Sequence, residues 1–524
     1  MALPTVDDWL QARDRRGFLL AASSLAFLPL IHREAHGFFR KHLTFQADPF
    51  SLGVASGDPS PDGFVLWTRL APDPLNGGGM PQENIEVRWE IAHDESMQKI
   101  VRRGSALATP ELAHTVHLEV EGLEPDRWYW YRFHAGDAVS RTGRARTTPA
   151  LDVTPQHVNF AFASCQHYES GYFNAYRHMI EDDLDVVVHL GDYIYEYAGI
   201  DGRVRKHTGP EIQSLNDYRN RYAQYRTDPD LQTAHARFPW IVTWDDHEFD
   251  NNCAGDISEE PNVRKAGYLA RRARAYQAYY EHMPLRAASV PTGPFLQLYR
   301  SLPFGKLLEF QVLDTRQYRT DQPCGDGNKP PCDGVFAQNA TLLGERQEKW
   351  LMQTLRESPA TWNILAQQIM MARVDRDPKS GIAWSMDQWA GYEAPRKRLL
   401  NFFKQQKISN PVVLTGDIHT NWVNDLKVDF DDEQSTAVAT EFVGTSISSG
   451  GNGSEKRGDT DGVLRDNPFV RFYNAERGYV RCQVTPATWQ SDYRVVDNVM
   501  TQQSNCLTRA TFAVEAGRAG AERA

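Results

Sequence analysis

The sequence lacks an apolar run long enough to cross a bilayer, because its apolar N-terminal stretch, 21–31, is shorter than the roughly 20 residues that a spanning helix needs. It also lacks an excess of positive charge. Its 57 Lys and Arg residues are outnumbered by 68 Asp and Glu residues, and the formal net charge of −11 opposes nonspecific binding to nucleic acid or to an anionic membrane. Internal repeats and low-complexity tracts are absent as well. We therefore expect no nucleic-acid partner, no transmembrane anchor in the mature chain and no repeat architecture.

The composition that remains is that of an ordinary globular protein. Of the 524 residues, 41% are hydrophobic and 24% are charged, which argues against disorder, a collagen-like repeat or a coiled coil. The chain is several times longer than a typical single domain. We expect one large folded unit with a smaller companion, and a monomer.

The N-terminus has the pattern of an export signal. Arg15 and Arg16 directly precede the apolar stretch 21–31, and polar residues follow it. This order is typical of a signal read by the twin-arginine export machinery, although no clean Ala-x-Ala cleavage sequence follows. The alternative is an ordinary amphipathic N-terminal helix. We interpret residues 1–45 as a twin-arginine signal and linker, and we expect a periplasmic or secreted protein.

Residues 46–150 have the pattern of a small β domain. Stretches rich in aromatic and β-branched residues alternate with Pro, Gly and Asp turns, at 63–68, 85–91, 114–120 and 128–134. This spacing predicts an all-β sandwich of about 100 residues. The segment 123–129 resembles the strand-joining corner of fibronectin-like modules.

The pattern changes in residues 151–524, where short apolar stretches alternate with helical ones. We expect buried strands at 159–163, 185–190, 240–243, 362–366 and 411–414. Helices are expected at 172–181, 263–282, 345–357 and 392–406. This alternation predicts an α/β domain, and such domains bind ligands beyond the carboxyl ends of their strands.

Groups that could bind a metal follow four of these strands. The motifs are Ser-Cys-Gln at 164–166, Gly-Asp-Tyr-Ile-Tyr at 191–195, Asp-Asp-His-Glu at 245–248 and Gly-Asp-Ile-His at 416–419. Each motif alone is weak, since an Asp after a strand is more often part of a turn or a helix cap. Their order along the chain and their repeated position at strand ends are far more specific.

Taken together, the motifs resemble the alkaline phosphatase D (PhoD-like) family of the calcineurin-like and purple acid phosphatase-like metallophosphoesterases. The resemblance covers nearly the whole chain. It implies an α/β sandwich of two mixed sheets flanked by helices, preceded by the fibronectin-like domain. It also implies an exported, metal-dependent phosphoesterase that uses a metal-bound hydroxide. Phosphate monoesters are the first substrate class. The alternatives are a phosphodiesterase or phospholipase D-like enzyme, and a non-catalytic protein that binds a surface polymer.

The donor types agree with what the resemblance implies about cofactors. A thiolate from Cys165, a carboxylate from Asp192, a phenolate from Tyr195 and an imidazole from His419 would form a ligand set with three anions. Such a set favours a trivalent cation, and the family association is with Fe³⁺ and Ca²⁺. Oxygen ligands suit Ca²⁺ at the second position. Asp192 would bridge both positions, and the expected calcium ligands are Asp246 and Asp417, with Asn252 and Gln367 or Gln368 as further candidates.

These residues also have ordinary interpretations. Cys165 could be an inert buried thiol, Tyr195 could cap a helix, and His419 could be a core histidine. Each interpretation is reasonable for one residue, but together they leave the family order of the motifs unexplained.

Two further residues are expected to act on the substrate. By its resemblance to the Asn-His-Glu motif of the superfamily, His247 would contact the phosphoryl oxygen or protonate the leaving group; the alternative is that it supports Asp246. Arg316 follows another apolar strand and could bind phosphate through a bidentate fork, whereas Arg319 is interpreted as structural.

The remaining cysteines suit an oxidising compartment. Cys324 and Cys332 bracket a polar loop, and Cys482 and Cys506 bracket a segment near the C-terminus. We expect a disulfide in each pair and an unpaired, structural Cys253.

Overall fold

The computed structural model describes residues 44–377, 381–432 and 434–524. The predicted export signal, with Arg15 and Arg16, lies outside the described residues. Within the described part, none of the helices combines the length and the apolar character needed to cross a membrane.

The N-terminal region consists of short strands close to the predicted positions. Its described strands are β1 (Val54–Ser60), β2 (Gly63–Arg69), β3 (Ile85–Ala92), β4 (Ile100–Ala108), β5 (Thr115–Val120), β6 (Trp128–Ala135), β7 (Ala138–Val139) and β8 (Gly143–Arg146). Strands β3, β4, β6, β7 and β8 form one sheet. Its inner face packs on β1, β2 and β5, for example through Tyr131 and Phe133 against Phe64 and Leu66. The predicted β-sandwich is confirmed.

The rest of the chain alternates strands and helices. Its described strands are β9 (Val158–Ala163), β10 (Val186–His189), β11 (Pro239–Val242), β12 (Arg300–Phe304), β13 (Leu308–Val312), β14 (Asn328–Lys329), β15 (Trp362–Ala366), β16 (Trp384–Ser385), β17 (Pro411–Thr415), β18 (Asn421–Lys427), β19 (Ala437–Val443), β20 (Gly453–Ser454), β21 (Val470–Val484), β22 (Thr488–Val496), β23 (Cys506–Glu515) and β24 (Glu522–Arg523). Its described α-helices are α1 (Asn174–Met179), α2 (Leu215–Arg226), α3 (Pro229–Arg237), α4 (Lys265–His282), α5 (Gly344–Glu357), α6 (Glu393–Gln406) and α7 (Thr460–Asp466).

Two mixed sheets form this domain. In the first sheet β9, β10 and β11 run parallel, and the antiparallel strands β21, β22 and β23 extend it. In the second sheet β13, β15, β17 and β19 run parallel, with β12 and β18 antiparallel to their neighbours. The long strand β21 joins the two sheets, because its first residues pair with β18 and its later residues pair with β9.

The alternation of side chains along each strand explains the layers. Phe160 and Phe162 of β9 point into the core between the sheets, where they meet Phe310 of β13 and Ile364 of β15. Ala161, between them, faces the opposite side and packs with helices α1 to α4. Helices α5 and α6 cover the outer face of the second sheet. The predicted sandwich of two mixed sheets flanked by helices is confirmed.

Three of the described α-helices, α2, α3 and α7, were not predicted, although the N-termini of α2 and α3 carry clear local signals. Helix α2 begins with a capping box, in which Ser214 and Asp217 each bond to the other's backbone N–H. Helix α3 follows Asp228, whose side chain accepts two backbone N–H bonds, and it starts with Pro229. Both helices pack on the first sheet and position the loops near its carboxyl edge.

The N-terminal region is continuous with the first large sheet, which was not predicted. Strand β1 pairs in parallel with β11, with Ser56 opposite Pro239 and Gly57 opposite Trp240. A Cβ atom at Gly57 would lie 2.7 Å from the Trp240 carbonyl oxygen, so glycine permits this close pairing. The division of the chain into domains at residue 150 stays a prediction.

The cysteine predictions are partly wrong. Cys324 and Cys332 form a disulfide and Cys253 is unpaired, as expected. Cys482 and Cys506, however, are free thiols. They flank strand β22 on opposite sides, with Cys482 opposite Ser491 and Cys506 opposite Val496. This register offsets them by about 16 Å along the strand, at about 3.3 Å per residue, whereas a disulfide needs Cα atoms within about 7 Å.

Candidate metal centre

The parallel strands of both sheets end at one edge of the sandwich, and the predicted motifs follow them there. Two glycines allow the strand ends to approach closely. A Cβ atom at Gly191 would lie 2.4 Å from the Cβ of Asp245, and one at Gly416 would lie 2.6 Å from the Ser164 hydroxyl oxygen. The ends of β10 and β11, and those of β9 and β17, are therefore brought together by residues without side chains.

One group of buried donors contains the four residues expected to hold iron. Ligand atoms of Cys165, Asp192 and His419 lie within 4.8 Å of one another. The Tyr195 hydroxyl donates to Asp192 Oδ2 at 2.8 Å and lies 3.2 Å from His419 Nε2. Ser449 Oγ contacts the Tyr195 hydroxyl at 2.7 Å. The structure thus brings together a sulfur, a phenol, a carboxylate and an imidazole.

A second group of carboxylates adjoins the first. Ligand atoms of Asp192, Asp246 and His247 lie within 4.8 Å of one another, and so do those of Asp245, Asp246 and Asp417. Asp192 is a member of both the first and the second group, which is the position expected of a bridging ligand. Asn252 lies beside Asp246, since its backbone N–H donates to Asp246 Oδ2 at 2.7 Å.

Two carboxylate oxygens in these groups are buried without a hydrogen-bond partner among the described residues. They are Asp192 Oδ1 and Asp245 Oδ2. A buried, unpaired carboxylate oxygen is costly, and such groups normally pair or coordinate a metal ion. Burial raises the pKa of Asp192 well above its ordinary value, and it raises the pKa of Asp417 to about 6. A bound cation would reverse both shifts.

Arg316 lies among the carboxylates instead of in solvent. Its side chain is completely buried, and its Nε donates to Asp245 Oδ1 at 2.5 Å. Its Nη1 bonds both oxygens of Asp387 at 2.9 and 3.0 Å, and its Nη2 donates to Asp417 Oδ1 at 2.9 Å. Asp246 is 3.6 Å from Nη2. Arg316 therefore neutralises and positions these carboxylates, and its predicted contact with phosphate stays a prediction.

Arg319 has the structural contacts that were expected of it. Its guanidinium donates to the backbone carbonyls of Asn252, Cys253 and Asp387, and also to Asp387 Oδ1 at 2.5 Å. Burial opposes ionisation of Asp387, but Arg316 and Arg319 together lower its pKa.

His247 lies over Tyr195, with ring centroids 4.2 Å apart. Its Nδ1 is 2.9 Å from Glu196 Oε2, which fixes the orientation of the ring. Burial acts to lower the pKa of His247, but Glu196, Asp246 and Asp192 raise it well above its ordinary value. The three carboxylates therefore favour the charged form of the ring.

The glutamine candidates for calcium binding have other contacts. The amide oxygen of Gln367 accepts the Trp389 indole N–H at 3.0 Å. The amide oxygen of Gln368 accepts the backbone N–H and the hydroxyl of Thr315 at 3.1 and 2.6 Å. Both amide oxygens therefore accept hydrogen bonds in the core, and binding of calcium by either glutamine stays a prediction.

Sequence reasoning missed several residues that build the site. Glu248 accepts the backbone N–H groups of Asp192 at 3.0 Å and Asp245 at 2.8 Å, so it ties the ends of β10 and β11 together. Its place beside His247 in a strand-end motif was a usable signal. Asp387 follows the short strand β16, and nothing in its local sequence indicates that it meets Arg316. Gln388, its neighbour, donates to Asp417 Oδ2 at 2.5 Å.

Comparisons with known proteins agree with this architecture. The model of the PhoD-like phosphatase family matches residues 160–493, and the model of the PhoD-like phosphatase N-terminal domain matches residues 37–149. The chain belongs to the PhoD-like phosphatase family. It is therefore a phosphoric ester hydrolase, as the motifs implied.

Two members of the family are close relatives. Alkaline phosphatase D of Bacillus subtilis (strain 168) is 51% identical over 533 residues, which cover 98% of this chain and 91% of the relative. A solved structure described as the structure of PhoD superposes with a TM-score of 0.90 at 53% identity, covering 92% of this chain and 93% of the other. The similarity therefore extends through both the N-terminal region and the two-sheet sandwich.

Proposed function

We propose that the chain is an exported, metal-dependent phosphoesterase that acts on phosphate monoesters, with one Fe³⁺ and Ca²⁺ as its cofactors. The observation that carries the proposal is the convergence of two donor groups that share Asp192. They contain two buried carboxylate oxygens with no partner among the described residues.

The donor sets fit these cations. Cys165, Asp192, Tyr195 and His419 supply the mixed sulfur, oxygen and nitrogen set that suits Fe³⁺, and the remaining donors are oxygen atoms. Asp246, Asp417 and Asn252, with Asp192 shared, would hold Ca²⁺, a hard cation that prefers carboxylate and amide oxygens. When bound, the two cations would neutralise the phosphoryl oxygens and lower the pKa of a water molecule.

The protein side chains supply orientation and proton transfer. His247 Nδ1 is engaged by Glu196, whereas no described residue bonds to its Nε2. The Nε2–H is therefore available to donate to a phosphoryl oxygen or to the leaving group, and Glu196 keeps it aimed there. Arg316 holds Asp245, Asp387 and Asp417 in place, so that their oxygens do not reorganise when the substrate binds.

Phosphodiesters are the second candidate substrate class. A cavity of about 290 Å³ adjoins Asp417 and Asn252, and Met370, Val374 and Ile418 are among its lining residues. An open space beside the ligands, lined by both polar and apolar side chains, would accept an organic substituent on phosphorus. Activity on bis(p-nitrophenyl) phosphate relative to p-nitrophenyl phosphate measures this preference directly.

Replacement of one ligand tests the proposal against a matched control. Cys165→Ala is expected to lose iron, the charge-transfer colour of the site and p-nitrophenyl phosphate hydrolysis together. Cys253→Ala removes another buried thiol, near Asn252 but outside the donor groups, and should keep all three. Iron content, absorbance of the charge-transfer band and p-nitrophenyl phosphate hydrolysis are measured on the same samples of both variants. Full iron content and activity in Cys165→Ala would refute the assignment.

Export is tested separately. Replacement of Arg15 and Arg16 by lysine should leave the chain in the cytoplasm, whereas the unaltered chain should reach the periplasm or the medium. Cell fractionation with an activity assay measures the distribution, and unchanged export would contradict the twin-arginine route.

A further inference from the structure

The cavity beside the metal ligands contains an arginine with no assigned partner. Arg376 lines the same cavity as Asn252 and Asp417. Among the described residues, no hydrogen bond or ion pair involves its guanidinium, and its Cζ lies 5.3 Å from the centroid of the Trp422 ring. Its backbone N–H donates to Ala383, which fixes the chain at this point.

Other arginines near the cavity are fully engaged. Arg316 and Arg319 bond to Asp387 and to neighbouring groups. Arg373, three residues before Arg376, forms ion pairs with Glu393 and Asp431. Arg477 donates to the backbone carbonyl of His419 at 2.6 Å. Among these described arginines, Arg376 is therefore the one whose guanidinium has no hydrogen-bond or ion-pair partner within the described residues.

The surroundings of Arg376 leave its positive charge poorly compensated. Burial lowers its pKa, which records the cost of removing the charge from water. Tyr473 and Asp459 act in the opposite direction without pairing with it, and Arg457 adds repulsion. Arg376 lines the cavity, and its guanidinium forms no ion pair with a described residue, so it is suited to bind an anion from the ligand.

We infer that Arg376 recognises a second anionic group, a carboxylate or a phosphate, on the organic substituent of the phosphoester. The scissile phosphate would occupy the end of the cavity at Asp417 and Asn252, and the second anion would meet the Arg376 guanidinium. This inference rests on the proposed function. It narrows the substrate class to esters whose leaving group carries its own negative charge.

The experiment compares pairs of substrates that differ in the second anion. For a carboxylate, the pair is 3-phosphoglycerate and glycerol 3-phosphate. For a phosphate, the pair is fructose 1,6-bisphosphate and fructose 6-phosphate. For each pair, kcat/KM of the substrate with the second anion is divided by kcat/KM of the substrate without it. This ratio is measured for the metal-loaded wild type, Arg376→Gln, Arg376→Lys and Arg518→Gln. Arg518 is an exposed arginine outside this cavity and serves as the control.

A charge-assisted hydrogen bond predicts that Arg376→Gln lowers this ratio by about 10- to 100-fold for at least one pair. Arg376→Lys should retain part of the preference, because lysine keeps the charge but loses the planar fork. Arg518→Gln should leave the ratio unchanged. The pair that responds identifies whether the group is a carboxylate or a phosphate.

An unchanged ratio for both pairs in Arg376→Gln would overturn the inference, and so would an equal loss for both members of each pair. If Arg376→Gln loses activity equally on both members, its thermal unfolding shows whether the variant is misfolded. A misfolded variant would assign Arg376 a structural role. Failure of the wild type to hydrolyse p-nitrophenyl phosphate would instead refute the proposed function.

Discussion

Gly191 is the position where a single methyl group should do most damage to the site. It precedes Asp192 and has φ of +109°, a conformation that favours glycine. An added Cβ would lie 2.4 Å from the Cβ of Asp245 and 2.6 Å from its backbone nitrogen. These atoms cannot rotate away, so Gly191→Ala must shift the end of β10 relative to the end of β11.

The expected cost has two parts. A positive φ costs a residue with a Cβ about 1–2 kcal/mol. Overpacking against atoms that cannot move aside costs about 1–3 kcal/mol more. We therefore expect Gly191→Ala to lower the free energy of unfolding by about 2–5 kcal/mol. Because Asp246 follows Asp245 directly, we also expect kcat/KM for p-nitrophenyl phosphate to fall by about 100-fold, the effect of a misplacement near 1 Å.

Gly202 provides the matched control for this prediction. Its φ is +81°, and an added Cβ would have no heavy atom within 4 Å. Gly202→Ala therefore places a Cβ on a backbone with positive φ but causes no steric clash. It should lower the free energy of unfolding by about 1 kcal/mol. Urea denaturation and p-nitrophenyl phosphate kinetics on both variants measure the difference.

If Gly191→Ala proves no more harmful than Gly202→Ala, either to stability or to kcat/KM, the close approach of the strand ends is not what positions the carboxylates. The reasoning about Gly191 would then be wrong, even if the donor groups bind metal as proposed.

Three further predictions concern thiols, charge and proton transfer. Because Cys482 and Cys506 are free, Ellman's reagent should detect four thiols in the denatured, unreduced chain. A count of two would indicate that Cys482 and Cys506 form a disulfide after all. Arg316→Gln removes the cation shared by buried aspartates, so urea denaturation should show a loss of about 3–5 kcal/mol; an unchanged midpoint would refute its positioning role. His247→Gln should lower kcat for p-nitrophenyl phosphate by about 10²- to 10⁴-fold without loss of iron, and full activity would exclude proton donation.

Much of the sandwich could be predicted because its strands are short apolar segments with strong local signals. The strand expected at 362–366 is β15 (Trp362–Ala366), and the strand expected at 411–414 is β17 (Pro411–Thr415). What could not be predicted is pairing between distant segments. The parallel pairing of β1 with β11, and the offset of Cys482 from Cys506 across β22, depend on register that no local pattern encodes.

The same division holds for the donor groups. Cys165, Asp192 and Asp417 could be found because each lies within three residues of the end of a strand, and carboxyl ends of parallel strands meet at one edge of a sheet. The position of Arg316 among Asp245, Asp387 and Asp417 could not be predicted, because it arises where separate loops meet. Its sequence context suited a phosphate fork equally well.

The backbone of the donor residues is strained, and the rest of the fold must offset that strain. Five of the proposed ligands have positive φ, namely Cys165 at 58°, Asp192 at 54°, Asn252 at 48°, Asp417 at 64° and His419 at 54°. Asn, Asp and His adopt this conformation more often than other residues with a Cβ, but Cys does not, and each such residue costs about 1–2 kcal/mol. Strain of this kind persists only where the surrounding structure imposes it. Glu248 accepts the backbone N–H of Asp192, and Arg316 donates to Asp417, so these contacts hold two of the strained donors where the strand ends meet.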